Sequence, residues 1–277
     1  MDTLKSIPNV DQALEIAAQR LGKTISGIRR YGWQQKSAGC AVIGSDHLKR
    51  WLRVQSRPKT RLPDKIWFGE PDAANIVGVK KPKLIVSVEW EDHEWIWRGD
   101  LMSFIDDPVC SLTPEIQRPL ILKPSWYKML RTSLENLSKN NTERVNTRQD
   151  LITRRIRERF GTEIDTQVQT WTTVHGDIHW ANLTSSECWI LDWEAWGQGP
   201  LGLDAAFLFC FSLRQPEIAH RVYQYFKDWL NTSDGIRSQL FACAELIRMT
   251  ELYNDHPDLK PYIMKYANEL LVKVPLK

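Results

Sequence analysis

The sequence predicts an α+β protein in two lobes: a small N-terminal antiparallel β-sheet lobe over residues 1–105 and a larger helical C-terminal lobe over residues 106–277. Three observations predict it. From Gly27 to Gln55, and again from Lys81 to Met102, short apolar or aromatic runs are broken by Gly, Ser, Asp and charged turns, the texture of strands. After Pro108 the apolar residues recur at helical spacing. Within that helical part, residues 171–194 return briefly to strands around a tight loop. A chain of 277 residues, 42% hydrophobic and 26% charged, has material for cores in both lobes.

The elements follow in order. Val10, Ala13, Leu14, Ala17 and Leu21 predict a helix over 9–22 that Gly22 ends. Strands are expected near 27–33, 39–44 and 50–55, the last two joined by the turn Ser45–Lys49. The stretch KPKLIVSVEWEDHEWIWRGDLM predicts a hairpin turning near Glu91 to His93, which makes five strands in all. Ser125 is placed to cap a helix carrying Trp126, Met129, Leu130, Leu134 and Leu137 on one side. SKNNTERVN follows as a polar linker. Thr147 is placed to cap a second helix through Phe160, ended by Gly161, whose four arginines (Arg154, Arg155, Arg157, Arg159) predict a solvated face. From Gly202 onward the pattern is helical.

Several classes are excluded by composition. A net charge of +3 gives no footprint for a dedicated nucleic-acid binder. No run of 18 apolar residues predicts a membrane span, and MDTLKSIPNV lacks the apolar core of a signal peptide. The five cysteines are scattered, with no CxxC pair, and predict buried thiols in a reducing compartment, hence a cytoplasmic location. Nothing fixes an oligomeric state.

The chemistry concentrates in VHGDIHWANL, Val174 to Leu183. On a strand, His175, Asp177 and His179 share one face and form a metal ladder, the basis of a hydrolase reading. The segment that follows, WILDWE, offers another reading: Asp192 ends an apolar run and joins Asn182 as a hard oxygen donor. A carboxylate and an amide suit Mg²⁺, which keeps waters and takes substrate phosphates as its other ligands. Asp177 is then free to accept the proton of an attacking hydroxyl.

HGDIHWAN followed by ILDWE resembles the aminoglycoside phosphotransferase and choline kinase-like family, whose catalytic loop reads H-G-D-x-x-x-x-N. The match runs through His175, Gly176, Asp177, Asn182, Asp192 and Glu194, and continues in GQGPLGLDAAFL with Asp204 and Ala206. The resemblance implies a two-lobed protein-kinase-like fold and an ATP-dependent small-molecule kinase acting on a hydroxyl. It gives Asp177 as the base or hydroxyl-orienting residue, Asn182 and Asp192 as the magnesium ligands, His175 as a structural residue and Asp204 as a brace of the loop. It implies ATP or GTP as donor, Mg²⁺ as cofactor and a small hydroxylated substrate (aminoglycoside-like, sugar or amino alcohol) as partner. A catalytically weak nucleotide-binding regulator of the same fold is the alternative.

The match thins in the first lobe. Where the family has a third-strand lysine, RWLRVQS offers Arg53, taken as the inward position in register with Leu52 and Val54, with Arg50 pointing away; Arg53 reads as the lysine's substitute or else as an exposed strand arginine. Glu70 is its expected carboxylate partner, Ser37 a helper in a phosphate-covering loop, and Met102 to Ile105, including Phe104, the hinge whose backbone meets adenine. Glu245, Glu251, Asp255 and Asp258 read as solvated helix and turn positions, or else as a pocket for a cationic substrate. Trp193 and Trp196 read as core or as a substrate wall.

Overall fold

The computed structural model describes residues 8–273. Those up to Ala74, together with Lys81–Asp106, form one compact unit, and Asn75–Lys80 with the residues from Asp107 onward form a second. The expected division at 105/106 therefore needs one correction: residues 75–80 belong with the helical unit. Side chains of that unit hold them, Asn140 Oδ1 accepting from the Val77 amide (3.2 Å) and Asn136 Nδ2 donating to the Gly78 carbonyl (2.9 Å), while the Ile190 amide donates to the Lys80 carbonyl.

The first unit begins with α1 (Val10–Arg20), whose N-cap Asn9 accepts from the Gln12 amide at 3.1 Å. Six strands follow: β1 (Thr24–Ile25), β2 (Arg30–Tyr31), β3 (Ser37–Ile43), β4 (Lys49–Pro58), β5 (Leu84–Glu91) and β6 (Trp95–Ser103). They form one antiparallel sheet in the order β1-β3-β4-β6-β5, with β2 pairing on β3. The count is six where five were expected, and the strand expected over 27–33 shrinks to two residues. The chain turns just beyond β2 because Gln34 and Gln35 both adopt left-handed backbone conformations. The β5–β6 turn falls where expected, with Asp92 Oδ1 accepting the amides of Glu94 and Trp95. Ala13, Leu14, Ala17 and Ala18 of α1 bury against Cys40, Val42, Leu52, Val54 and Leu101, all on one face of the sheet. Between β4 and β5 lie one turn of α-helix, α2 (Gly69–Asp72), and a 3-10 turn over Ala73–Asn75.

The second unit holds α3 (Pro124–Ser138), α4 (Gln149–Phe160), a two-stranded ribbon of β7 (Trp171–Val174) and β8 (Gly197–Pro200), then α5 (Leu203–Ser212), α6 (Pro216–Leu230), α7 (Ser233–Tyr253) and α8 (Lys260–Leu271). Apolar on every side and almost wholly buried, α5 serves as the central rod against which α6 and α7 pack. Two expected caps are displaced. Ser125 sits inside the first turn of α3, because Pro124 has no amide to satisfy and takes the first helical position. Arg148 precedes α4 in extended conformation, so Thr147 lies one residue too early, its own amide donating to the Gln198 carbonyl. Gly161 ends α4 at φ 112° as expected. Among the described residues no helix is long and apolar enough to cross a membrane.

Candidate active site

The loop after β7 carries the chemistry. At Gly176 the backbone takes φ 77°, and a Cβ there would lie 1.8 Å from Asn146 Nδ2, so only glycine fits. Asp204, on the first turn of α5 and 5% exposed, reaches back with both oxygens: Oδ2 accepts the His175 amide and Oδ1 the Gly176 amide, each at 2.8 Å. Desolvation, joined by the nearby Asp177 charge, pushes its carboxyl up to about 6 against the pull of those two amides.

His175 is fully buried, edge-on to Trp193 with ring centroids 4.7 Å apart. Burial pushes its imidazole down to about 4, so the ring is neutral at pH 7. Its Nε2 lies 3.0 Å from the Leu191 carbonyl, which can only accept, so Nε2 carries the proton. The histidine thus ties the loop to the segment bearing Asp192, and the structural role the resemblance implied follows from this geometry.

Asp177, Asn182 and Asp192 are brought together. Leu183 and Ile190 form an antiparallel bridge, and the Leu191 amide donates to the Asn182 carbonyl at 2.9 Å, which sets Asp192 beside Asn182. Asp192 adopts φ 61°, a left-handed conformation that aspartate tolerates better than most residues. The second strand expected in WILDWE is only this single bridge, since the left-handed turn at Asp192 ends the extended run.

The Asn182 amide has a fixed orientation. Its Nδ2 faces the Asp177 carbonyl (3.0 Å) and Asp177 Oδ2 (3.2 Å), both acceptors, which leaves Oδ1 on the opposite side as an oxygen donor. His179 Nε2 lies 3.1 Å from Nδ2 and 3.6 Å from Asp177 Oδ2. Desolvation alone would push the Asp177 carboxyl up. The charge and hydrogen bonding of His179 and the Asn182 amide outweigh it and hold the group below the ordinary carboxylate range. Asp177 is therefore ionised at neutral pH, with 43% of its side-chain surface open. Among the described residues no three His, Cys, Asp or Glu groups gather as a metal site, because His175 turns inward to Leu191 instead of sharing a face with Asp177 and His179.

In the sheet unit, Arg53 needs its register corrected. Leu52 and Val54 point at α1, so the period of two puts Arg53 on the other face, and not in register with them. Cross-strand pairing places Ser37, Gln55, Asp100 and Met102 on that same face. Arg50 points the opposite way and pairs with Asp46 at 2.6 Å. A buried network underlies the Arg53 face: Arg98 Nε donates to Asp100 Oδ1 (2.8 Å) and Nη1 to the Trp67 carbonyl (2.7 Å), while Ser87 Oγ donates to Asp100. Glu70 lies in α2 and is 5% exposed. Met102 is buried inside the ladder between β4 and β5, where its backbone belongs to the sheet; the segment outside the ladder begins at Phe104. Ser37 opens β3 in place of lying in a loop.

Sequence reasoning missed two residues. The 138–146 stretch, read as a linker, is bolted to the segment after Asp192: Val145 bridges to Gln198, Arg144 donates to the carbonyls of Glu194 and Trp196, and Asn146 Nδ2 donates to that of Ala195. No spacing rule flags Arg144 or Asn146, because their partners lie some 50 residues away. Trp193 and Trp196 are core, 0% and 5% exposed. A cavity of about 530 Å³ lined by Lys80, Lys128, Thr132, Ser133, Glu187 and Cys188 touches none of Asp177, Asn182 and Asp192 and is not this site.

No protein-family model matches the chain. No curated protein sequence matches it either. Solved structures do. A thermostable variant of aminoglycoside phosphotransferase APH(4)-Ia, in ternary complex with AMP-PNP and hygromycin B, is 10% identical, with 94% of this chain and 97% of that chain covered at a TM-score of 0.64. Amicoumacin kinase hAmiN, in complex with AMP-PNP, Ca²⁺ and Ami, is 12% identical, with 97% and 95% covered at a TM-score of 0.58. A fructosamine-3-kinase assignment from Haemophilus somnus 129PT is 11% identical, with 95% and 100% covered at a TM-score of 0.56. The chain therefore has the two-lobed α+β fold of kinase-like phosphotransferases over nearly its whole length.

Proposed function

We propose that the protein is a small-molecule kinase that transfers the γ-phosphoryl group of ATP, or of GTP, to a hydroxyl group with the help of Mg²⁺. The observation that carries this reading is the pairing of an ionised, partly open Asp177 with an oriented Asn182 amide on one braced loop, with the segment bearing Asp192 bridged alongside it. The fold is shared with enzymes whose printed names are phosphotransferases and kinases, and nucleotide analogues are bound in two of those structures.

The donor set fits magnesium. Asn182 Oδ1 and the Asp192 carboxylate are hard oxygens, and two protein ligands are enough for an ion that keeps waters and phosphate oxygens. When bound, the ion neutralises phosphate charge and holds the phosphates in line. Phosphoryl transfer of this kind has a loose transition state, so positioning matters more than basicity. Asp177, held ionised, accepts a hydrogen bond from the acceptor hydroxyl and aims its lone pair at the γ-phosphorus. The new P–O bond forms as the bond to the β-phosphate oxygen breaks, the hydroxyl proton passes to Asp177, and the nucleoside diphosphate leaves. Arg53 is proposed as the phosphate cation of the sheet unit, with Glu70 and Ser37 as its helpers and Phe104 in the adenine-contacting segment. The sheet unit is thereby the nucleotide-binding part and the helical unit the catalytic and acceptor-binding part. All five cysteines are free thiols, which supports a cytoplasmic setting.

Arg53 in place of lysine favours a second reading, a nucleotide-binding regulator with little turnover. The experiment that separates the two is ATP consumption with hydroxylated acceptors, run on the wild type and Asp177→Asn. The kinase reading expects acceptor-dependent consumption that falls on the order of 10²–10⁴-fold in the variant. Acceptor-dependent turnover that survives the substitution removes Asp177 from the mechanism.

A further inference from the structure

The surroundings of Asp177 in the helical unit carry information about the acceptor. Beside the carboxylate stands a row of three rings. His179 meets Phe211 edge-to-face at 5.9 Å between centroids, and Phe211 meets His256 in the same way at 5.5 Å. The two ends of the row remain partly open, His179 with 14% and His256 with 20% of its side-chain surface. His256 is anchored from behind, its Nδ1 lying 2.6 Å from Glu115 Oε2.

The segment that bears Glu115 is strapped to the catalytic loop at both ends. The Cys110 amide donates to the Leu183 carbonyl (2.7 Å) and the Ser111 amide to that of Trp180 (3.2 Å). Farther on, the Trp180 amide donates to the Pro114 carbonyl (3.1 Å) and the Ile116 amide to that of Phe211 (3.2 Å). Between these anchors Leu112 is held out with 76% exposure. A large apolar side chain fixed in the open beside a catalytic loop is surface that a ligand can cover.

The charges of this region point the same way. Glu245 is answered by Arg155 and Arg248, the former also pairing with Glu158, and Glu251 by Arg159 and Lys260, so these carboxylates are already matched. Asp258 pairs with Arg214 at 3.3 Å. A ligand bearing several ammonium groups needs carboxylates that are not already matched.

We infer that the acceptor is an uncharged hydroxyl compound with an apolar face, laid against the His179–Phe211–His256 row and covered by Leu112, and that polycationic aminoglycoside-like compounds are not its substrates. The inference rests on the phosphotransferase reading and goes beyond it by naming the acceptor class.

The test is a calorimetric titration of the protein loaded with Mg·AMP-PNP, using phenyl β-D-glucopyranoside (uncharged, one apolar face), glucose (uncharged, no such face) and neamine (a polyamine) as probes. The phenyl glucoside is expected to bind at least roughly tenfold more tightly than either of the others. Leu112→Ser and His256→Gln are each expected to weaken it by roughly tenfold while the AMP-PNP affinity stays as it was. Leu112 is on the surface, so its variant folds. Tighter binding of neamine, indifference of the phenyl glucoside to both substitutions, or no binding of any probe to the nucleotide-loaded protein overturns the inference and leaves the kinase reading standing. Failure of Mg·AMP-PNP itself to bind overturns the kinase reading and the acceptor class with it.

Discussion

Replacing Asp204 by asparagine separates what this carboxylate does for stability from what it does for the catalytic loop. Asp204 presents one oxygen to each of two backbone amides. Asparagine has a single oxygen, so one of the two buried N–H groups would face an NH₂ and go unpaired, a loss of about 1–3 kcal/mol. The carboxylate, however, is itself costly: a rise from 3.8 to about 6 corresponds to roughly 3 kcal/mol of destabilisation at neutral pH. The two effects nearly cancel, and the variant is expected to unfold in urea within about 2 kcal/mol of the wild type at pH 7. Activity should behave differently. The loop amides that set Asp177 would shift, and misplacement by about 1 Å costs on the order of 10²-fold in turnover. The pH dependence carries a further signature. As pH falls through 6 the folded protein takes up a proton at Asp204 that the unfolded chain, at 3.8, does not, so the native state gains stability from this group between pH 6 and 4. The asparagine variant should lack that gain. Urea denaturation at pH 7 and pH 5, with ATP consumption measured alongside, gives all three quantities. A variant that keeps full turnover while losing several kcal/mol would make Asp204 a fold residue only, with no part in setting the loop.

Arg53→Ala is expected to weaken ATP by about one to two decades, the worth of a charge-assisted contact of roughly 1.5–3 kcal/mol, with Arg53→Lys recovering part of the loss; Arg50→Ala, on the opposite sheet face, should match the wild type by calorimetry. Gly176→Ala combines a positive φ with a Cβ 1.8 Å from Asn146 Nδ2, and thermal melting should show a destabilisation of about 1–3 kcal/mol together with loss of turnover; an unchanged melting temperature would mean that the loop is not built as described.

The fold was largely legible because its signals are local. Short apolar runs broken by turn residues marked the strands, helical spacing marked α1 and α3, and the Gly161 stop marked α4. Legibility failed where a partner distant in sequence decided the outcome. Residues 75–80 look like part of the sheet unit until Asn136 and Asn140 claim them. The polar run around Arg144 and Asn146 looks like a linker until it docks on residues 194–198. In the site, HGDIHWAN named Asp177 and Asn182 directly, since one loop carries both. Arg53 was recognised as a residue but placed on the wrong face, because an alternating strand shows two faces and only the packing of α1 on Leu52 and Val54 says which is which. Glu245 and Glu251 read as solvated or as a pocket; their arginine partners on α4, some 90 residues earlier, decide for neutralised helix surface.

If Asn182 and Asp192 hold magnesium beside Asp177, nucleotide binding depends on the ion and on both side chains. Isothermal titration of AMP-PNP, with magnesium and with chelator, into the wild type and Asp192→Ala tests it most directly. Saturable binding to the wild type in magnesium, weakened roughly tenfold or more by chelator and by the substitution, is the predicted result. Equal affinity in all four titrations, or none in any of them, would contradict it.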